Sequence, residues 1–128
     1  MQVLLDTQAF LWWVFADSRL SRSASRVVAD EDNDCLISLA SAWELAIKAA
    51  SGKIKLKEPV ARFIPSELRA NGFSMLDIRF SHISMIEQLP PHHRDPFDRL
   101  IIAQALTEAL PVVSIDSAFD SYGLERIW

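Results

Sequence analysis

The chain has 128 residues, half of them apolar and 23% charged, with a formal net charge of −4 at pH 7. That balance fits one globular domain over residues 1–128 and excludes a disordered or fibrous chain. Three glycines are too few for the glycine-rich loops that cradle nucleotides, no apolar run is long enough for a membrane span, no secretory leader is visible, and the acid excess runs against bulk electrostatic capture of nucleic acid.

Val3-Leu4-Leu5 is a continuous apolar run ending on Asp6. It reads as a buried strand whose acid emerges at the carboxyl end. Ala9 to Phe15 follows as an apolar helix with more large side chains than one buried face needs. Trp12, Trp13 and Phe15 are either core packing or an exposed patch that a partner covers. Ser21 opens a second helix to about Asp32, where Arg19, Arg22 and Arg26 form a basic stripe. The stripe is either a solvated face or a phosphate-contact surface. Cys35-Leu36-Ile37-Ser38 is a second buried strand. Its lone cysteine allows no internal disulfide, suits a reducing cytoplasm and reads as packing. Ser38 to Lys48 is a helix that stops near Gly52. Inside it, Ser41 and Glu44 have the spacing of a capping box. With Ser38 as the cap instead, Glu44 stands in the second turn, free for function.

Lys53 to Lys57 is an exposed basic connection, and a helix runs from about Val60 to Ala70, stopping at Asn71-Gly72. Ser74-Met75-Leu76 reads as a third strand and Ser81 to Leu89 as a helix, broken by Pro90-Pro91. Asp95-Pro96 is a helix start: the carboxylate accepts a backbone N–H, and proline fits the first helical position. From there Phe97, Leu100, Ile101, Ala105, Leu106 and Ala109 recur at helical spacing. Asp98 lies in the first turn, at the positive end of the helix dipole. Cap and dipole partner account for both acids without a function. Val112 to Asp116 is another apolar strand ending on an acid, followed by a short helix near Ala118-Phe119 and an edge strand over Leu124 to Trp128.

Apolar strands alternating with helices make a parallel or mostly parallel α/β sheet the economical architecture. Such sheets bind ligands beyond the carboxyl ends of their strands. Asp6 and Asp116 sit at such ends, Glu44 just beyond a third, and Asp98 at a helix start near the same rim. Four converging carboxylates repel unless cations are present, and hard oxygen ligands suit Mg²⁺ or Mn²⁺. Two such ions can drive phosphodiester hydrolysis.

On these residues the chain resembles the PIN domain family, and within it the VapC-type toxins of bacterial type II toxin–antitoxin pairs. The resemblance spans essentially the whole chain. It rests on Leu4-Leu5-Asp6-Thr7, on Ser38 to Lys48 with Trp43-Glu44-Leu45-Ala46-Ile47-Lys48 inside, on His93 to Ala105, and on Ser114-Ile115-Asp116. It implies a three-layer α/β/α fold with a mostly parallel five-stranded sheet. It also implies a cytoplasmic endoribonuclease dependent on Mg²⁺ or Mn²⁺, with RNA as substrate, a cognate antitoxin as partner, and a homodimer or toxin–antitoxin hetero-oligomer. The family acids correspond to Asp6, Glu44, Asp98 and Asp116, as metal ligands and catalytic residues. Asp95 is a cap, a supporting group or an occasional ligand, Thr7 and Ser114 are hydrogen-bond partners of the acids or of metal-bound water, and His92 and His93 have turn or supporting roles rather than direct ligation. Arg22, Arg26, Lys48, Arg94 and Arg99 are the phosphate-contact candidates. Ser114-Ile115 departs mildly from relatives that place a threonine near there.

Two other readings compete. A phosphatase using Asp6 as nucleophile lacks the usual second acid, because position 8 is Gln8. A non-catalytic PIN-fold module binding RNA or protein is disfavoured by the presence of all four acids.

Overall fold

The computed structural model describes every residue from Met1 to Trp128. Five strands form one sheet: β1 (Gln2–Leu5), β2 (Asp34–Ser38), β3 (Ser74–Leu76), β4 (Val112–Val113) and β5 (Arg126–Ile127), in the order β3-β2-β1-β4-β5. Every pairing is parallel. The helices are α1 (Thr7–Val14), α2 (Arg22–Ala29), α3 (Leu39–Ala50), α4 (Val60–Asn71), α5 (Phe80–Gln88) and α6 (Pro96–Glu108), with a 3₁₀ turn over Ser117–Tyr122.

Strand residues alternate between two cores, as the two-residue period requires. Val3, Leu5, Cys35, Ile37 and Val113 face one core, shared with Phe10 of α1, Ala24 and Val28 of α2, and Phe63 and Ile64 of α4. Leu4, Leu36 and Val112 face the other, shared with Leu100 to Ala103 of α6 and with Phe119 and Tyr122. Helices therefore cover both faces, and the strands read as unbroken apolar runs because neither face meets water. This is the expected three-layer α/β/α arrangement.

Two expectations need correction, and one open alternative is decided. The second helix ends at Ala29, not near Asp32, because the Asp30 carboxylate accepts the Asp32 N–H at 2.9 Å and turns the chain out of the helix. The fourth strand is only Val112–Val113, because the Ser114 hydroxyl accepts the Asp116 N–H at 3.0 Å and bends the backbone there. Trp12 is a core residue, 8% exposed, packed against Trp128 at 5.8 Å with the rings tilted 52° apart, and covered by the Arg19 guanidinium at 5.0 Å. Trp13 is half-buried and donates its indole N–H to Asn71 Oδ1 at 2.9 Å. Of that aromatic group only Phe15 is exposed.

Candidate active site

Asp6, Glu44, Asp98 and Asp116 are placed by four separate elements, and Asp6, Asp116 and the neighbouring Asp95 double as helix caps. Asp6 follows β1 and caps α1, its Oδ1 accepting the Ala9 N–H at 2.8 Å. Asp116 follows β4 and caps the 3₁₀ turn, accepting the Ala118 N–H at 2.9 Å. Asp95 caps α6, accepting the Phe97 and Asp98 N–H groups at 2.8 and 3.1 Å. Ser38 caps α3 through the Ala40 N–H at 3.0 Å. That excludes the Ser41–Glu44 capping box and leaves Glu44 in the second turn, unused by the helix end. The Ser41 hydroxyl instead shares a 2.8 Å hydrogen bond with Thr7, so Thr7 braces α1 against α3 rather than holding an acid.

Asp6, Glu44, Asp98 and Asp116 line one cavity of about 240 Å³, with Asp95 and Lys48 beside them. It opens at the carboxyl ends of β1 and β4, where an open parallel sheet places its ligands. A larger cleft of about 470 Å³ beside Trp12 and Asn71 holds one carboxylate, Asp17, already paired with Arg19 at 2.7 Å. The four acids singled out in the sequence meet in the smaller cavity.

Electrostatic strain is concentrated there. Burial pushes Asp6 up from 3.8 to about 6; the Ser114 hydroxyl and the Ala9 N–H pull it back, while Asp116 and Glu44 repel it. Burial also drives Asp98 up to about 7, with repulsion from Asp95 opposed by His93. At Asp116 desolvation acts upward, but the Ala118 N–H, the His93 ring and Arg126 outweigh it and hold the carboxyl below its usual value. Glu44 is buried; its Oε2 meets Lys48 Nζ at 2.8 Å, and its Oε1 has no partner. A buried carboxylate oxygen without a donor is costly. A divalent cation would relieve both the orphaned oxygen and the mutual repulsion, and an all-carboxylate set suits a hard ion.

The supporting residues divide unevenly. Ser114 bonds the Asp6 carboxylate, but at Asp116 its hydroxyl accepts the backbone N–H rather than holding the acid. Of the five phosphate-contact candidates, only Lys48 lines the cavity. Arg99 is committed elsewhere: its guanidinium donates to the carbonyls of Ile86, Leu89, Pro90 and His93. His93 stands closer to the acids than local sequence suggests, with Nε2 2.8 Å from Asp116 Oδ2 and 3.2 Å from Asp98 Oδ2. The only sequence signal was its place two residues before the Asp95 cap. His92 packs on Tyr122, at 5.2 Å between ring centroids.

Comparison with known proteins follows the same lines. Residues 3–124 match the PIN domain. Ribonuclease VapC22 of Mycobacterium tuberculosis is 28% identical over 123 residues, covering 94% of this chain and 91% of that protein. Ribonuclease VapC16 of the same organism is 41% identical over 56 residues, which is 44% of this chain and 40% of that protein. Among solved structures, VapBC2 from Rickettsia felis, bound to a DNA fragment from its promoter, superposes with a TM-score of 0.70 at 16% identity, covering 100% of both chains. FitAcB from Neisseria gonorrhoeae gives 0.61 at 16% identity, over 98% of this chain and 96% of that one. At such identities the structures speak for the fold, and the sequence matches for the family.

Proposed function

The chain belongs to the PIN domain family, and from that premise we propose that it is a divalent-metal-dependent endoribonuclease, the toxin of a type II toxin–antitoxin pair. One observation carries the reading: Asp6, Glu44, Asp98 and Asp116, from four different elements, line a single cavity at the carboxyl rim of a parallel sheet. The full-length similarity to Ribonuclease VapC22 supports the choice of RNA as substrate.

In this reading the four acids hold Mg²⁺ or Mn²⁺. When bound, the ion supplies Lewis-acid stabilisation of charge on the phosphate and lowers the pKa of the attacking water. The residues supply the rest. Ser114 and the Ala9 and Ala118 N–H groups fix the Asp6 and Asp116 carboxylates, so the site is organised before substrate arrives. Lys48, half-exposed at the cavity and ion-paired to Glu44, is placed to meet a backbone phosphate at the rim. Local cations of this kind allow a chain of net charge −4 to hold RNA.

The test is cleavage of a structured RNA pool by partner-free protein. We expect cutting at discrete sites with Mg²⁺ or Mn²⁺ and none with chelator. Folded, partner-free protein that cuts with neither metal overturns the assignment.

The partners in this reading are a cognate antitoxin and a second copy of the chain, in the cytoplasm. No helix is long and apolar enough to cross a membrane. The exposed apolar surface is not at Trp12 and Trp13. Leu39, Trp43 and Ile47 recur every fourth residue along α3, 40%, 56% and 47% exposed, with Phe80 and Ile83 exposed on α5. We assign this stripe to self-association, since an apolar helix face can pack on its own copy across a two-fold axis. Trp43→Glu should convert the dimer to monomer in light scattering. An unchanged mass would remove the stripe from the dimer contact.

A further inference from the structure

We propose that Arg99 and His93 form a positioning device for the metal site. Arg99 clamps the loop between α5 and α6, and through that loop holds His93 as a hydrogen-bond donor bridging Asp98 and Asp116. The inference rests on the metal-dependent reading above and assigns neither residue to contact with substrate.

Arg99 projects from the first turn of α6 into the loop that precedes it. Its Nη1 donates to the carbonyls of Pro90 at 3.1 Å and His93 at 3.2 Å. Its Nη2 donates to those of Ile86 and Leu89, both at 3.3 Å. One planar guanidinium thus gathers four carbonyls spread over the end of α5 and the loop. Lysine, with a single compact ammonium, cannot reproduce that fork. Two prolines, Pro90 and Pro91, further stiffen the same loop.

The loop delivers one ring to the acids. The Asp95 N–H lies 3.4 Å from His93 Nδ1, so Nδ1 serves as the acceptor and Nε2 carries the proton. The Phe119 ring packs edge-on against the imidazole, centroids 5.9 Å apart. Nε2–H therefore faces Asp116 Oδ2 at 2.8 Å and Asp98 Oδ2 at 3.2 Å. The other Asp116 oxygen already accepts the Ala118 N–H, so His93 fixes the remaining freedom of that carboxylate. A donor held between two like charges sets their separation before any ion arrives. The protonated Nε2 also makes His93 an outer partner of the ligands rather than a ligand. Outer partners of metal-binding groups are commonly worth ten- to a hundredfold in metal affinity.

The experiment is Mn²⁺ binding to the full chain by calorimetry at about pH 8, where the raised acids are ionised, with electron paramagnetic resonance of the bound ion. His93→Ala should weaken Mn²⁺ binding by about ten- to a hundredfold, and His93→Gln, which keeps an N–H donor, should recover most of it. Arg99→Ala should weaken binding comparably, and the His93→Ala, Arg99→Ala double variant should be no weaker than His93→Ala alone. Arg99→Lys serves the same comparison if Arg99→Ala does not fold. Several results overturn the device. Additive losses would mean that Arg99 does not act through His93. Tighter Mn²⁺ binding by His93→Ala would make the ring a plug. Nitrogen hyperfine coupling to Mn²⁺ that vanishes in His93→Ala would make it a ligand. Failure of the wild-type chain to bind Mn²⁺ or Mg²⁺ at all would instead refute the metal-dependent reading itself.

Discussion

Asp98→Asn is expected to lower metal-dependent RNA cleavage by about three orders of magnitude or more in kcat/KM, with little loss of fold. The substitution preserves shape and removes one negative charge from a cavity that needs four. The helix start survives because Asp95, not Asp98, accepts the first N–H groups of α6. Asp95→Asn makes the contrasting control. Asparagine caps a helix about as well as aspartate, and in the proposed site Asp95 stands beside the ligand set rather than in it. Its cleavage should stay within about tenfold of wild type. The measurement is RNA turnover with Mn²⁺ for both variants, beside their thermal melts. If Asp98→Asn still cuts RNA while folded, Asp98 is not a ligand and the four-acid centre fails.

The same pair of acids marks how far the sequence could be read. Asp95-Pro96 announced a helix start by local chemistry alone, and Asp95 is the α6 cap. Val3-Leu4-Leu5 announced a strand buried on both faces, and its residues do divide between the two cores. Where a residue's role depends on a contact distant in the chain, periodicity was silent. Thr7 meets Ser41 across 34 positions, and His93 meets Asp116 across 23. Arg99 carried the ambiguity of every arginine near an acid cluster: its charge suits a phosphate, but its fork is spent on loop carbonyls. The tryptophans stayed open between core and surface for a similar reason. Trp12 and Trp13 looked surplus because their cover, Trp128 and Asn71, lies at the far end of the chain and in α4. Competition between side chains and backbone hid the true ends of α2 and β4, where Asp30 and Ser114 capture N–H groups just past the apolar run.

Metal-free protein is expected to lose stability as the pH rises from about 4 to about 7, and Mn²⁺ or Mg²⁺ to restore it. Asp6 sets the sign. Its folded pKa of about 6 lies above its ordinary value of 3.8, so the folded state binds the proton more tightly than the unfolded one. The stabilisation is complete below the ordinary value and is lost as pH passes through the folded value. A shift of about two units corresponds to about 3 kcal/mol. Asp98, raised to about 7, extends the loss to higher pH; discounted for its partly solvated edge, it adds roughly 1–2 kcal/mol. Asp116 acts with the opposite sign, but its depressed pKa confines that contribution to acid below the ordinary carboxylate range. Asp6→Asn removes the buried charge and keeps a polar cap. It should therefore be more stable than wild type at about pH 8 without metal, by about 2 kcal/mol, while losing RNA cleavage. Urea unfolding with chelator across this range, repeated with Mn²⁺, measures all three effects. A wild-type stability flat with pH, and no gain from Asp6→Asn, would mean that the acids are not strained against one another. Gain of stability together with loss of cleavage would identify the strain as the cost of keeping a cation site open inside a folded protein.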